Sequence, residues 1–190
     1  SYGDSVQLRL GLGTAYAKEG RVDDAIDQFR LAKKLEPQNP DPLYALASLD
    51  EHFGRTAEEK ENLEKAVALD PSFVAARNKL GALFLEEGKT AKAEAQFREA
   101  LRWNPNTEGV LYNLSLILDE RGETAGALDL LKKAAALDPD SLHISLALAE
   151  HLFASGNTAE ARLLLEGILR RDPRNTRALE AMKKLSATSP

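Results

Sequence analysis

The chain has 190 residues, 43% apolar and 29% charged, with a formal net charge of −5 and no cysteine. This is an ordinary soluble composition, and the acid excess argues against a nucleic-acid backbone as main partner, which needs net or local basic surface. The missing cysteines exclude disulfides, thiolate metal ligands and cysteine nucleophiles, and no run approaches the roughly 18 apolar residues of a membrane span. Ser1 to Gly20 lacks the basic start and apolar run of a signal peptide. Since Ser1 is not Met, the chain is expected to be a piece of something longer, and cytoplasm and periplasm both fit it.

From the N-terminus, an element boundary recurs with a fixed step. Gly20, Gly54, Gly88, Gly122 and Gly156 are each 34 residues apart, as are Pro37, Pro71, Pro105, Pro139 and Pro173. A shared period of this length means a repeat array. The units run 6–39, 40–73, 74–107, 108–141 and 142–175, after an N-terminal flank 1–5. Each unit reads as two helices. In the third, Val74, Leu80, Leu83 and Phe84 have helical spacing up to Glu87. Gly88-Lys89 breaks that helix, because glycine closes it at little steric cost. Thr90 is expected to cap the next helix, which carries Ala93, Phe97, Ala100 and Leu101. Asn104-Pro105 ends it, since the residue before proline leaves the helical region. Thr56, Thr124 and Thr158 recur in the capping phase. The first unit has Val22 there, so Asp23 or Asp24 is expected to open its second helix. Residues 176–186 read as a further amphipathic helix through Leu179, Met182 and Leu185, and 187–190 as a tail. That helix is expected to cap the fifth unit, because a terminal repeat needs a polar outer face.

The in-phase residues carry a strong resemblance to the tetratricopeptide repeat. The first unit has Leu12-Gly13, Tyr16, Ala25, Phe29, Ala32 and Pro37; the third has Leu80-Gly81, Phe84, Ala93, Phe97, Ala100 and Pro105. The second departs with Ala47 for the glycine, Asp50 for the aromatic and Glu59 for the small alanine. The fourth and fifth replace aromatics with leucine (Leu118 and Leu131; Leu152 and Leu165). The fold class implied is all-α: an α-solenoid, a right-handed superhelix of antiparallel helix pairs.

No catalytic signature is present: no phosphate loop, GxSxG or HExxH. No catalytic residue, metal site or cofactor is therefore assigned. His143, Glu150 and His151 lack the three- or four-residue spacing of ligands on one helix face. Trp103 shares the slot of Leu35, Leu69 and Leu137 before the proline turn, which points to packing. Arg171 in that slot implies a looser fifth turn. Glu58, Glu59, Glu61 and Glu64 read as a solvated outer face, or else as an acidic stripe that steers a basic partner.

The resemblance implies a groove lined by the first helix of each unit. Its central row is Leu10, Tyr44, Asn78, Tyr112 and Leu146, with Thr14, Ser48, Ala82, Leu116 and Glu150 one turn on. Glu51, Leu85, Asp119 and Phe153 stand at the mouth. The carboxylate clamp of the family's chaperone adaptors is absent, because Leu10, Thr14, Asn78 and Ala82 fill its places and Lys79 stands alone beside the row. So is the asparagine ladder of its sugar transferases. The expected site is Tyr44, Asn78, Leu85, Tyr112, Leu116, Leu146, Glu150 and Phe153, with Leu85, Leu116, Leu146 and Phe153 forming an exposed apolar patch. Tyrosine supplies rigid amphipathic contact area there.

The function expected is a non-catalytic protein-interaction scaffold for a peptide or helix with apolar anchors and some positive charge. The alternatives are a regulatory or substrate-docking region of a larger enzyme, such as a glycosyl- or sulfotransferase, and self-assembly through the groove. No nucleic acid and no membrane insertion are expected.

Overall fold

The computed structural model describes Ser5–Ala187. Of the expected flank and tail, residues 1–4 and 188–190 lie outside the described residues. Among those described there are eleven α-helices and no strand. They fall into two compact units divided after Trp103. The N-terminal unit holds α1 (Val6–Lys18), α2 (Val22–Leu35), α3 (Asp41–His52), α4 (Thr56–Leu69), α5 (Val74–Glu86) and α6 (Thr90–Trp103). The C-terminal unit holds α7 (Glu108–Glu120), α8 (Thr124–Leu137), α9 (Leu142–Ala154), α10 (Thr158–Arg171) and α11 (Thr176–Ala187). Successive helices pair as α1/α2, α3/α4, α5/α6, α7/α8 and α9/α10, with α11 against α9 and α10. This is the α-solenoid class: five helix pairs and a final helix.

One device makes every hairpin within a pair. The period glycines take φ values of +67 to +83°, where a side chain would be strained. The following residue then donates its backbone N–H back to the closing turn. Arg21 reaches Tyr16, Arg55 reaches Asp50, Glu123 reaches Leu118 and Asn157 reaches Leu152, at 2.8–2.9 Å. This is the Schellman closure. Arg21, Arg55, Glu123 and Asn157 are at once the N-caps of the next helices, and none makes a side-chain cap. The expected threonine caps are therefore corrected: Thr56, Thr90, Thr124 and Thr158 are the first helical residues. Likewise α2 opens at Val22, and Asp24 instead accepts a bond from Arg21 Nε at 2.8 Å.

The turns between pairs use proline and an acceptor side chain. Asp70, Asp138 and Asp172 leave each helix with φ near −130°, as a residue before proline must. Asp70, Asn104, Asp138 and Asp172 then accept from the N–H two residues on, at 2.8–3.2 Å, an Asx-turn. The slot before these turns does not pack as expected. Leu35, Trp103 and Leu137 are exposed, Trp103 to 54%. Arg171 does not loosen its turn. It donates to the Asp140 carbonyl at 2.8 Å and lies 3.3 Å from the Asp140 carboxylate.

The cores are built from in-phase small and large residues. Ala25, Ala93, Ala127 and Ala161 are fully buried, as are Phe97, Leu63 and Leu131. The helices approach closely at Gly13 and Gly81, where the rings of Phe29 and Phe97 lie against the bare backbone.

Candidate functional site

In the N-terminal unit the first helices of neighbouring pairs, α1 and α3, pack on one another. An open pocket of about 510 Å³ lies there, lined by Thr14, Ala17, Lys18, Phe29, Tyr44, Ala45, Ser48, Leu49 and His52. Every lining residue except Phe29 comes from a first helix. Phe29 and Leu49 belong to the buried cluster beneath it. Tyr44 is half-buried, its ring 5.1 Å from that of Phe73. The expected residues Asn78 and Leu85 are half-buried on α5. Lys79 pairs with the Glu51 carboxylate, so the expected acidic mouth is already partnered.

The polar interior of this unit is concentrated in α3 and α4. Asp50 is 5% and Glu59 4% exposed. Burial pushes both carboxyls above their usual range. Asn62 and Arg55 oppose the shift at Asp50, and the neighbouring Glu51 adds to it at Glu59. Asn62 Nδ2 donates to Asp50 Oδ2 at 3.0 Å. Glu59 is thus corrected from surface to interior, whereas Glu58, Glu61 and Glu64 are exposed. Glu87 is the opposite case. Lys60 Nζ at 2.7 Å and Lys89 Nζ at 2.7 Å hold its carboxyl down to about 2.

In the C-terminal unit, Tyr112 meets His143 edge-on with ring centres 5.0 Å apart. Ser141 Oγ lies 2.9 Å from His143 Nδ1. His151 uses Nδ1 toward the Ala147 carbonyl at 2.9 Å. Its Nε2 is 3.0 Å from Asp119 Oδ1 but off the angle for a hydrogen bond. Arg177 Nη2 of α11 bonds both oxygens of Glu150, at 3.1 and 3.0 Å. Glu150, Phe153, Arg177, Glu180 and Lys184 border a pocket of about 450 Å³ between α9 and α11. The helices α7 and α9 carry Glu108, Asp119, Glu120 and Glu150 and no lysine or arginine.

The expected apolar patch is redrawn by burial. Leu116 and Phe153 are half-buried in the C-terminal unit, and Leu85 half-buried in the other. Leu146 is only 5% exposed and packs in the core with Leu131, Leu148 and Leu165. It follows the groove phase, but α9 is apolar nearly all round, so its neighbours cover it. Sequence reasoning missed Lys18, His52, Arg177 and Lys184, which border the two pockets. One signal was available: α1 carries Arg9 and Lys18 and no acid, unlike the other first helices. Among the described residues, no helix is long and apolar enough to cross a membrane.

Comparison with known proteins gives the same architecture. One tetratricopeptide repeat model matches residues 1–40, 44–107 and 83–141, and a second matches 120–185. Among solved structures, Pseudomonas aeruginosa PilF superposes with a TM-score of 0.84 at 22% identity, over 96% of this chain and 83% of that one. A thermophilic tetratricopeptide protein of Thermus thermophilus gives 0.67 at 28% identity, over 96% and 98%. YrrB, described as having an unusual peptide-binding site, gives 0.68 at 16% identity, over 92% and 90%. With its period glycines, Asx-proline turns and small-to-large helix packing, the chain belongs to the tetratricopeptide repeat family.

Proposed function

We propose that the chain is a non-catalytic protein-interaction scaffold whose first helices receive a peptide or helix of a partner protein. The observation that carries this reading is the open pocket between α1 and α3, walled by first-helix side chains and large enough for an anchoring side chain. The likeness to YrrB, a protein with a peptide-binding site, supports it.

In the N-terminal unit the contacting residues are Tyr44, Asn78 and Leu85. In the C-terminal unit they are Tyr112, Leu116, Glu150 and Phe153, with Leu146 supporting them from the core. The partner supplies apolar anchors. Some positive charge on it suits the C-terminal unit at the acids of α7, Glu108, Asp119 and Glu120, since Glu150 of α9 is already held by Arg177.

Random-peptide display against the whole chain tests this. Selected peptides should carry apolar anchors and bind about tenfold more weakly to a Tyr44→Ala/Tyr112→Ala/Leu116→Ala/Phe153→Ala variant of unchanged helicity. Equal binding to that variant would move recognition off the first helices.

A further inference from the structure

We infer that the pocket between α1 and α3 takes a bulky apolar side chain of the partner peptide with an acidic side chain beside it. This rests on the peptide-binding reading and adds the sign of the charge, which is opposite to that suited to the C-terminal unit. The floor is apolar: Phe29 and Leu49 are core residues, and Tyr44 flanks them half-buried. Such a concavity gains by burying apolar surface, at roughly 25 cal/mol per Å².

The charged groups on the lining set the polarity of what lies beside the anchor. They are Lys18 and, when protonated, His52, each at the C-terminal end of its helix and exposed. No carboxylate lines the pocket. The acids next in sequence are turned to other partners: Glu19 lies 3.7 Å from Arg21, and Glu51 pairs with Lys79. A carboxylate at the rim therefore meets a cation and no facing acid, whereas a lysine there meets like charge. Ser48 stands on the α3 wall, where an added bulky side chain would fill the space.

The test uses the whole chain and a panel of N-acetylated, C-amidated peptides. Each holds one Leu, Phe or Trp flanked by Glu, Gln or Lys, and binding is read by fluorescence anisotropy. The Glu-flanked peptides should bind roughly threefold tighter than the Gln series, the scale of an exposed ion pair, with the Lys series weakest. The preference should shrink as salt is raised. Lys18→Glu, at an exposed position, should invert the order with helicity unchanged, and Ser48→Arg should abolish binding of every series.

An order that Lys18→Glu does not alter, with Ser48→Arg still blocking, overturns the charge inference and leaves peptide binding in the pocket standing. Binding seen only with a free C-terminal carboxylate also overturns it, by making the chain end the anion. No binding by any series, or binding indifferent to Ser48→Arg, removes the pocket from recognition altogether.

Discussion

A Cβ placed on Gly81 would sit 2.5 Å from a ring carbon of Phe97, and one on Gly13 would sit 2.4 Å from Phe29. Both rings are buried, so neither has room to withdraw. The other three helix pairs solve the same contact differently. Where the first helix carries Ala47, Ser115 or Ala149, the partner position sixteen residues on is Leu63, Leu131 or Leu165. Each of those leucines is buried. The ring therefore goes with the missing Cβ, and the smaller leucine goes with its presence. Gly81→Ala alone should destabilise the N-terminal unit by about 1–3 kcal/mol, the range for overpacking a full core. Adding Phe97→Leu should recover a substantial part of that loss. A double-mutant cycle from denaturant midpoints checks it, and strictly additive losses would show that the two residues do not share the contact.

The pair α3/α4 is the element whose sequence departs furthest, and its departures face inward. Asp50 stands where Tyr16 and Phe84 stand in other pairs, and Glu59 where Ala25 and Ala93 stand. Both acids have raised folded values, so the folded state binds their protons more tightly than the unfolded chain. Their contribution is fully present below the ordinary carboxylate range and is lost as pH rises through the raised values. Asp50→Asn/Glu59→Gln should therefore gain on the parent as pH rises from the ordinary carboxylate range toward neutrality. Glu87 has the reverse sign. Its contribution is present above the usual range and is lost as pH falls toward about 2, so Glu87→Gln should weaken the unit near neutrality and not at that limit. Chemical denaturation across pH measures both slopes.

These departures are readable as residues, but a charge run counted along the chain groups Glu59 with its exposed neighbours. Helical phase, which places it with Ala93, decides its burial. The glycine and proline steps gave the helix pairs directly, since each marks a backbone conformation that few residues adopt. The threonine caps did not follow. The hairpins are so short that one residue both closes a helix and opens the next, which moves threonine inside the first turn. Trp103 misled for a related reason: the slot before proline lies in the last turn, past the packed face.

At the scale of the whole molecule, stability in a repeat array is a sum over neighbours, so an end unit depends on whatever covers it. The final helix α11 has that role in the C-terminal unit. It buries Ala178 and Leu185 completely or nearly so, packs Ala181 and Met182 against the core of α9 and α10, and ties Arg177 to Glu150. Lys183 of this helix is exposed. Ending the chain after Asn175 would bare the faces of Leu165 and Ile168 that α11 covers. The apolar side chains lost suggest about 3 kcal/mol, taking each fully buried leucine as ~2 kcal/mol. Because each ~1.4 kcal/mol is a factor of ten in an equilibrium constant, amide exchange in α9 and α10 should speed by roughly a hundredfold. The effect should be smaller in α7 and α8, which reach α11 chiefly through the packing of α8 on α9. Leu185→Asp in the intact chain should reproduce the pattern more weakly, placing a charge in that buried site without removing backbone. If α9 and α10 keep their protection in both variants, α11 is an appendage, and the C-terminal pair supports itself.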